Sequence, residues 1–216
     1  SRDWISDVCS SDLSLGEVFT QPRDVNAILD LIVDQNYASR YLEPGCGSGN
    51  FLVEILSRKL ELVDKVAKPS HQAGPESVAE WEFLALSALA SIYGIDIEVI
   101  NVSESRERLT AILLESRLRW EKITPMSEEF KASAAWILNH NIVLGDMLEG
   151  QSKIKLVEYA EISPRRFKRR VFRYDDLLYP EEEVFDNANV MFPHILQPIQ
   201  ELPVVEYNAL GGAHVD

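Results

Sequence analysis

The stretch Glu43-Pro44-Gly45-Cys46-Gly47-Ser48-Gly49-Asn50-Phe51 constrains this chain more than any other, because it sets three glycines between two apolar segments of different period. Tyr41 and Leu42 close a short extended run, whereas Phe51, Leu52, Ile55, Leu56 and Leu60 recur at helical spacing. The glycines therefore join a strand to a helix. Residues without a β-carbon let the backbone turn sharply and approach a ligand closely, which is the geometry of a loop that holds a nucleotide-type cofactor.

The surrounding pattern alternates. Val25, Ile28, Leu29, Ile32 and Val33 follow Thr20-Gln21-Pro22 at helical spacing and predict a helix with a proline-marked start. Residues 51 to about 66 form the helix after the loop, and Pro69 to Pro75 reads as a surface connection. Between Glu76 and Ser91, Trp81, Leu84, Ala85, Ala88 and Leu89 predict an amphipathic helix, followed by a buried strand over Ile92 to Ile97. A further helix runs from Glu98 to about Trp120, with Val99, Val102, Leu109, Ile112 and Leu113 toward the core, and Asn141 to Leu144 reads as a third strand. Such alternation predicts an α/β domain with a parallel sheet, whose ligands bind at the carboxyl ends of the strands. Glu43, Asp96 and Asp146 each fall at such an end.

After Gly150 the period changes, and residues 151–179 predict a β-hairpin, with strands over Lys153 to Ile162 and Arg166 to Leu178 and a turn at Ser163-Pro164. Residues 180–216, with Pro193, Pro198 and Pro203, read as an irregular tail. The segment from Ser1 to Leu13 resembles translated sequencing-adapter read-through and is set apart, so the cofactor-binding core is expected over residues 14–150.

At 216 residues and 46% hydrophobic composition, the chain suits one domain with an ordinary core. No apolar run reaches the roughly 18 residues of a membrane span, and a soluble cytoplasmic protein with no membrane partner is expected. Two cysteines and four scattered histidines make neither a disulfide framework nor a metal pattern. The net charge is −14, and −12 without the first thirteen residues. So acidic a domain repels bulk nucleic acid, and any DNA contact must be local or supplied by a partner.

The loop string resembles the S-adenosylmethionine-binding motif of amino-group DNA methyltransferases, especially the adenine-N6 enzymes of restriction-modification systems. The resemblance spans about residues 15 to 148 and implies a Rossmann-like class I methyltransferase fold in a bacterial or phage-encoded protein. Tyr93-Gly94-Ile95-Asp96 resembles the family's second motif, whose acid holds the cofactor ribose, with Ile97 in the same site. By the same resemblance Glu43, Pro44, Gly45, Cys46, Gly47, Gly49, Asn50 and Phe51 belong to the cofactor site, with Glu43 near the methionine portion. Gly145-Asp146 is similar to the third motif, where the aspartate meets the adenine amino group, and Val18-Phe19-Thr20-Gln21-Pro22 to the preceding motif, which contributes Thr20. On the residues alone, a carboxylate such as Asp96 can accept both ribose hydroxyls or cap the next helix.

The family's Asn/Asp-Pro-Pro-Tyr/Phe signature is not in this sequence, which contains no Pro-Pro pair. Three readings of that gap stand: a catalytic strand lying beyond Asp216, a short restriction-modification M-subunit-like protein whose hairpin replaces the later motifs, or another catalytic residue such as Tyr174 or Asp175. The resemblance thus implies S-adenosylmethionine as cofactor, with DNA and a restriction-modification subunit as partners, either for adenine-N6 methylation or for an inactive cofactor-binding subunit. In the hairpin, Arg166, Lys168 and Arg170, with Phe167, Phe172 and Tyr174 interleaved, form a candidate nucleic-acid site. The alternative is a solvated edge hairpin protected from aggregation by its charge.

Overall fold

A computed structural model describes residues 20–33, 35–67, 73–148, 153–178 and 197–212. The segment Ser1 to Leu13, the residues Val18 and Phe19, and most of the expected tail lie outside them. Helix α1 (Pro22–Leu29) leads to β1 (Tyr41–Pro44), and α2 (Asn50–Ala67) and α3 (Pro75–Ala90) then carry the chain to β2 (Ile92–Asp96). Helices α4 (Val99–Leu118) and α5 (Glu128–Asn141) lead to β3 (Ile142–Leu144). The three strands form a parallel sheet in the order β1-β2-β3, with Glu43 opposite Gly94 and Asp96 opposite Leu144.

Each parallel crossover therefore contains two helices. Helix α5 was not anticipated, although Ser127 caps it by accepting from Phe130 N–H at 3.1 Å and two glutamates occupy its first turn. Helix α3 also differs from expectation. Every residue from Trp81 to Ala90 is buried, because its neighbours enclose it on all sides and its alanines let them approach. In α1 only Val25 and Leu29 are buried and Ile28 is exposed, and the helix ends before Ile32 and Val33, which are exposed as well. In α4 Val102, Leu109 and Leu113 are buried and Ile112 packs partly against them, whereas Val99 is exposed.

The expected hairpin forms from β4 (Lys155–Ile162) and β5 (Arg166–Arg173), joined through a cis Ser163-Pro164 bond and Arg165 at φ +43°. A left-handed third position is the usual device of a three-residue hairpin loop. The extended run does not continue to Leu178. Tyr174–Leu178 forms a short helix, α6, whose first-turn acids Asp175 and Asp176 suit a helix N-terminus. The tail is not wholly irregular either. Gln200–Glu206 forms β6, antiparallel to β5, and Tyr207–Gly212 makes a closing 3-10 turn. Pro203 is accommodated because β6 lies at a sheet edge, where one side of the strand needs no ladder donor.

The inner face of this second sheet joins the helical core through Val157, Phe167, Val171 and Leu202. On the parallel sheet, Tyr93 and Ile95 pack against Ile154, Leu156 and Tyr174. A buried ion pair ties α3, α4 and the closing 3-10 turn together: Arg117 Nε donates to Glu82 at 2.6 Å, and Tyr207 hydroxyl donates to the other carboxylate oxygen at 3.0 Å. Among the described residues no helix is long and apolar enough to cross a membrane.

Candidate functional site

The glycine loop crosses the carboxyl end of the parallel sheet. Gly45 and Cys46 N–H both donate to Ile95 carbonyl, at 2.8 and 2.9 Å, which holds the turn over β2. Gly45, Gly47 and Gly49 have φ of +75°, +52° and +87°, a region costly for any residue with a β-carbon. Their surroundings differ. An added β-carbon at Gly45 or Gly47 would meet nothing within 4 Å, whereas at Gly49 it would lie 2.8 Å from Ser105 Oγ. The first two glycines thus open the backbone to the outside, and the third lets α4 pack closely.

Asp96 is buried beneath this loop. Its Oδ2 accepts Gly47 N–H at 2.8 Å, and its Oδ1 accepts Glu98 N–H at 2.9 Å and Asn101 Nδ2 at 3.2 Å. Asp96 does not itself cap α4: the cap position is Glu98, whose N–H Asp96 accepts in the turn before the helix begins at Val99. A carboxylate has about four acceptor directions, so Oδ1 is filled and Oδ2 retains one.

The other expected residues take distinct places. Glu43 sits two register positions behind Asp96 on the same sheet face, and burial pushes its carboxyl above the ordinary value. Pro44 is exposed at the end of β1, and Ile97 is 63% exposed beside the buried acid. Burial, with the Asp96 charge adding to it, pushes the Cys46 thiol up to about 12, so it is a neutral packing group. Phe51 packs partly against the core. Asn50 spends its amide on the protein, accepting from Arg108 at 2.9 Å and donating to Thr20 carbonyl at 3.4 Å. Thr20 is thereby brought to the loop. Asp146 follows β3 in a turn and accepts Leu148 N–H at 2.8 Å.

Three residues of α4 complete the site without having been anticipated. Asn101 holds Asp96, Ser105 donates to Gly47 carbonyl at 2.9 Å, and Arg108 donates to Ser48 carbonyl at 2.6 Å and to Asn50. Their spacing of four and three places them on one helix face, a polar stripe visible in the sequence but unassigned.

The hairpin cations are arranged otherwise. Arg166, Lys168 and Arg170 share a face, but β5 is the central strand of its sheet rather than an edge. Arg170 is paired with Glu158 at 2.5 Å, Lys168 with Glu201 at 3.2 Å, and Arg166 donates to Ser163 carbonyl at 3.1 Å. Phe167 and Phe172 are buried, so neither ring is available to stack on a base. Tyr174 is buried against Tyr93 and Ile95, and Asp175 lies 3.8 Å from Arg173 Nε. Among the described residues no group of three or more His, Cys, Asp or Glu side chains could hold a metal ion.

No protein-family model, curated protein or solved structure matched this chain.

Proposed function

We propose that the carboxyl end of the parallel sheet binds S-adenosylmethionine, and that the protein is a methyltransferase-like partner in adenine-N6 DNA methylation built on a Rossmann-like core. The observation that carries this reading is the cradle itself: two left-handed glycines with open space where side chains would be, held over a buried carboxylate by the Gly47 bond to Asp96. Anything seated there meets backbone and not side chain. Asp96 Oδ2 has acceptor capacity for a ribose hydroxyl, and the exposed Ile97 offers apolar surface next to it for a planar ring. Glu43, raised by burial on the same face, suits the polar end of the ligand.

When bound, the cofactor supplies a methyl group already carried on a sulfonium leaving group. The chain's own residues bind and orient it. A group that would receive and position the target amine is not assigned, because the sequence has no Pro-Pro pair, Tyr174 is buried and Asp175 lies beside Arg173. That observation favours the second reading, a cofactor-binding subunit that does not itself turn over.

Calorimetric titration with S-adenosylmethionine tests the site. The wild type should bind, and Gly47→Val and Asp96→Ala should not, with retained far-UV circular dichroism in the Gly47 variant. Undetectable binding by the wild type would sink both readings. Labelled methyl incorporation into unmethylated DNA by the isolated chain would then exclude the inactive subunit.

A further inference from the structure

Helix α4 turns apolar side chains outward where it begins. Val99 and Ile100, in its first turn, are 65% and 72% exposed, and Leu144 at the end of β3 and Leu148 in the turn beyond it are 55% and 89% exposed. These residues share one end of the molecule. Helix α4 starts at the carboxyl end of β2 and runs back beside β3, where Arg106 donates to Ile142 carbonyl at 2.9 and 2.6 Å. Seven residues back along α4 is about 10 Å, and two residues on along β3 is about 7 Å, so Val99 and Leu144 reach nearly the same level.

The stability of the isolated chain does not account for this arrangement. A helix start favours acidic or small polar residues, and β-branched side chains are among the weaker helix formers. Glu98, at the cap position, makes no side-chain cap bond. Large apolar side chains exposed together at such a place mark an interaction surface.

The charges beside the patch select its occupant. Ile100, Glu104 and Glu107 follow at intervals of four and three, so they form one stripe along the outside of α4. Both glutamates are exposed, Glu107 accepts Ser103 hydroxyl at 3.3 Å, and neither has an ion-pair partner among the described residues. The face that holds the glycine loop, through Asn101, Ser105 and Arg108, lies about 100° round the helix, so a ligand in the cradle leaves the stripe uncovered. The exposed Lys153 and Lys155 flank Ile154, which packs against Tyr93 and Ile95 on the sheet face away from Asp96 and Leu144, so they stand apart from the stripe. Nucleic acid or an anionic membrane would meet these carboxylates with like charge, and so would a second copy of a chain whose net charge is −14. A helix with apolar anchors and, one to two turns further along, lysine or arginine meets both features.

We propose that the outer face of the first turns of α4, with Leu144 and Leu148, is the docking surface for a basic amphipathic helix of another protein. As the partner that brings the missing amine-receiving group to the cradle, that protein rests on the methyl-donor reading; the surface itself does not.

A fluorescently labelled Leu/Lys peptide of amphipathic helical pattern serves as the probe, followed by anisotropy with the full chain. The same pattern with Glu for Lys, or with Ser for Leu, should bind at least ten-fold more weakly. Val99→Ser, Ile100→Ser and Leu144→Ser together should weaken the Leu/Lys peptide about ten-fold or more with unchanged far-UV circular dichroism, because each removes apolar area that the peptide covers. Glu104→Lys with Glu107→Lys should weaken it and flatten its salt dependence. Leu31→Ser with Val33→Ser, at apolar positions just as exposed after α1, should change nothing. Titration with S-adenosylmethionine separates the two readings: cofactor binding absent from the wild type, with peptide binding intact, removes the methyl-donor reading alone. Failure of the Leu/Lys peptide to bind, equal binding of the Glu peptide, unchanged affinity in the triple variant, or the same loss in the Leu31 and Val33 variant would overturn the docking surface. So would a wild-type dimer in sedimentation that the triple variant dissociates, or duplex DNA binding that the triple variant loses, since a second copy or nucleic acid would then be the occupant.

Discussion

Gly49→Ala should destabilise the fold far more than Gly47→Ala, although the two glycines are two residues apart in the same loop. Both have left-handed backbones, at φ +87° and +52°, which costs an L-residue about 1–2 kcal/mol. At Gly47 that is the whole penalty, because the new β-carbon meets open space. At Gly49 the β-carbon would lie 2.8 Å from Ser105 Oγ and 3.3 Å from Ser105 Cα, so the contact involves backbone and not only a movable side-chain end. Overpacking of this kind adds about 1–3 kcal/mol. The expected totals are therefore about 2–5 kcal/mol for Gly49→Ala and about 1–2 kcal/mol for Gly47→Ala. Urea unfolding followed by tryptophan fluorescence reads the difference, since Trp81, Trp120 and Trp136 are all buried. With a slope near 2 kcal/mol/M, Gly49→Ala should lower the midpoint by roughly 1–2.5 M. Equal costs for the two variants, or a reversed order, would refute the division of the loop into an open half and a packed half.

Three further outcomes follow from the same geometry. Lys59, buried in α2 and donating to Tyr37 carbonyl, Ser39 carbonyl and Ser91 Oγ, is lowered by burial to about 7, below its unfolded value near 10.4. The unfolded chain then binds more protons between these values, so stability should rise from pH 7 toward pH 9, and Lys59→Met should flatten that slope in urea titrations. Above about pH 10 the raised tyrosines Tyr93, Tyr159 and Tyr207 act in the opposite sense, because the folded chain then holds the extra protons. Arg117→Met should cost about 3–5 kcal/mol by stranding the Glu82 carboxylate, whereas Tyr207→Phe should cost about 1–2 kcal/mol; similar values would show that the pair is not the stronger tie. Changing Arg166, Lys168 and Arg170 together to Ala should leave the salt dependence of DNA binding unaltered, since Arg170 and Lys168 already face Glu158 and Glu201; a slope shallower by about three would return these residues to a phosphate-binding role.

The order of the elements from α1 to the hairpin, α5 excepted, was legible because local patterns report it. Apolar spacing around Phe51 to Leu60 and Leu109 to Leu113 marks helix faces, and the turn residues Ser163-Pro164 mark the hairpin. Legibility failed where a segment's environment overrides its own pattern. Helix α3 is enclosed on every side, so its apolar spacing could not show which face was inward. The end of β5 was set by the acids of the next turn, and β6 by pairing with a strand about thirty residues earlier in the chain. In the site, Gly45, Gly47 and Asp96 were expected and are brought together, but Asn101, Ser105 and Arg108 were passed over because an isolated polar stripe on a helix resembles any solvated face.

By itself the sequence determined a loop that only glycines can form, the strand before it, the helix after it and the acid that ends the next strand, because these depend on backbone sterics and on contacts within a few residues. Tertiary structure decided how those groups are spent. It divided the Asp96 oxygens among Gly47, Glu98 and Asn101, turned the hairpin cations Lys168 and Arg170 into ion pairs with Glu201 and Glu158, and left the Ser87 and Tyr159 hydroxyls buried without a partner. The physical reason is that hydrogen-bond satisfaction and charge pairing are settled by whichever groups meet in space, as Glu82 and Tyr207 do across 125 residues of chain.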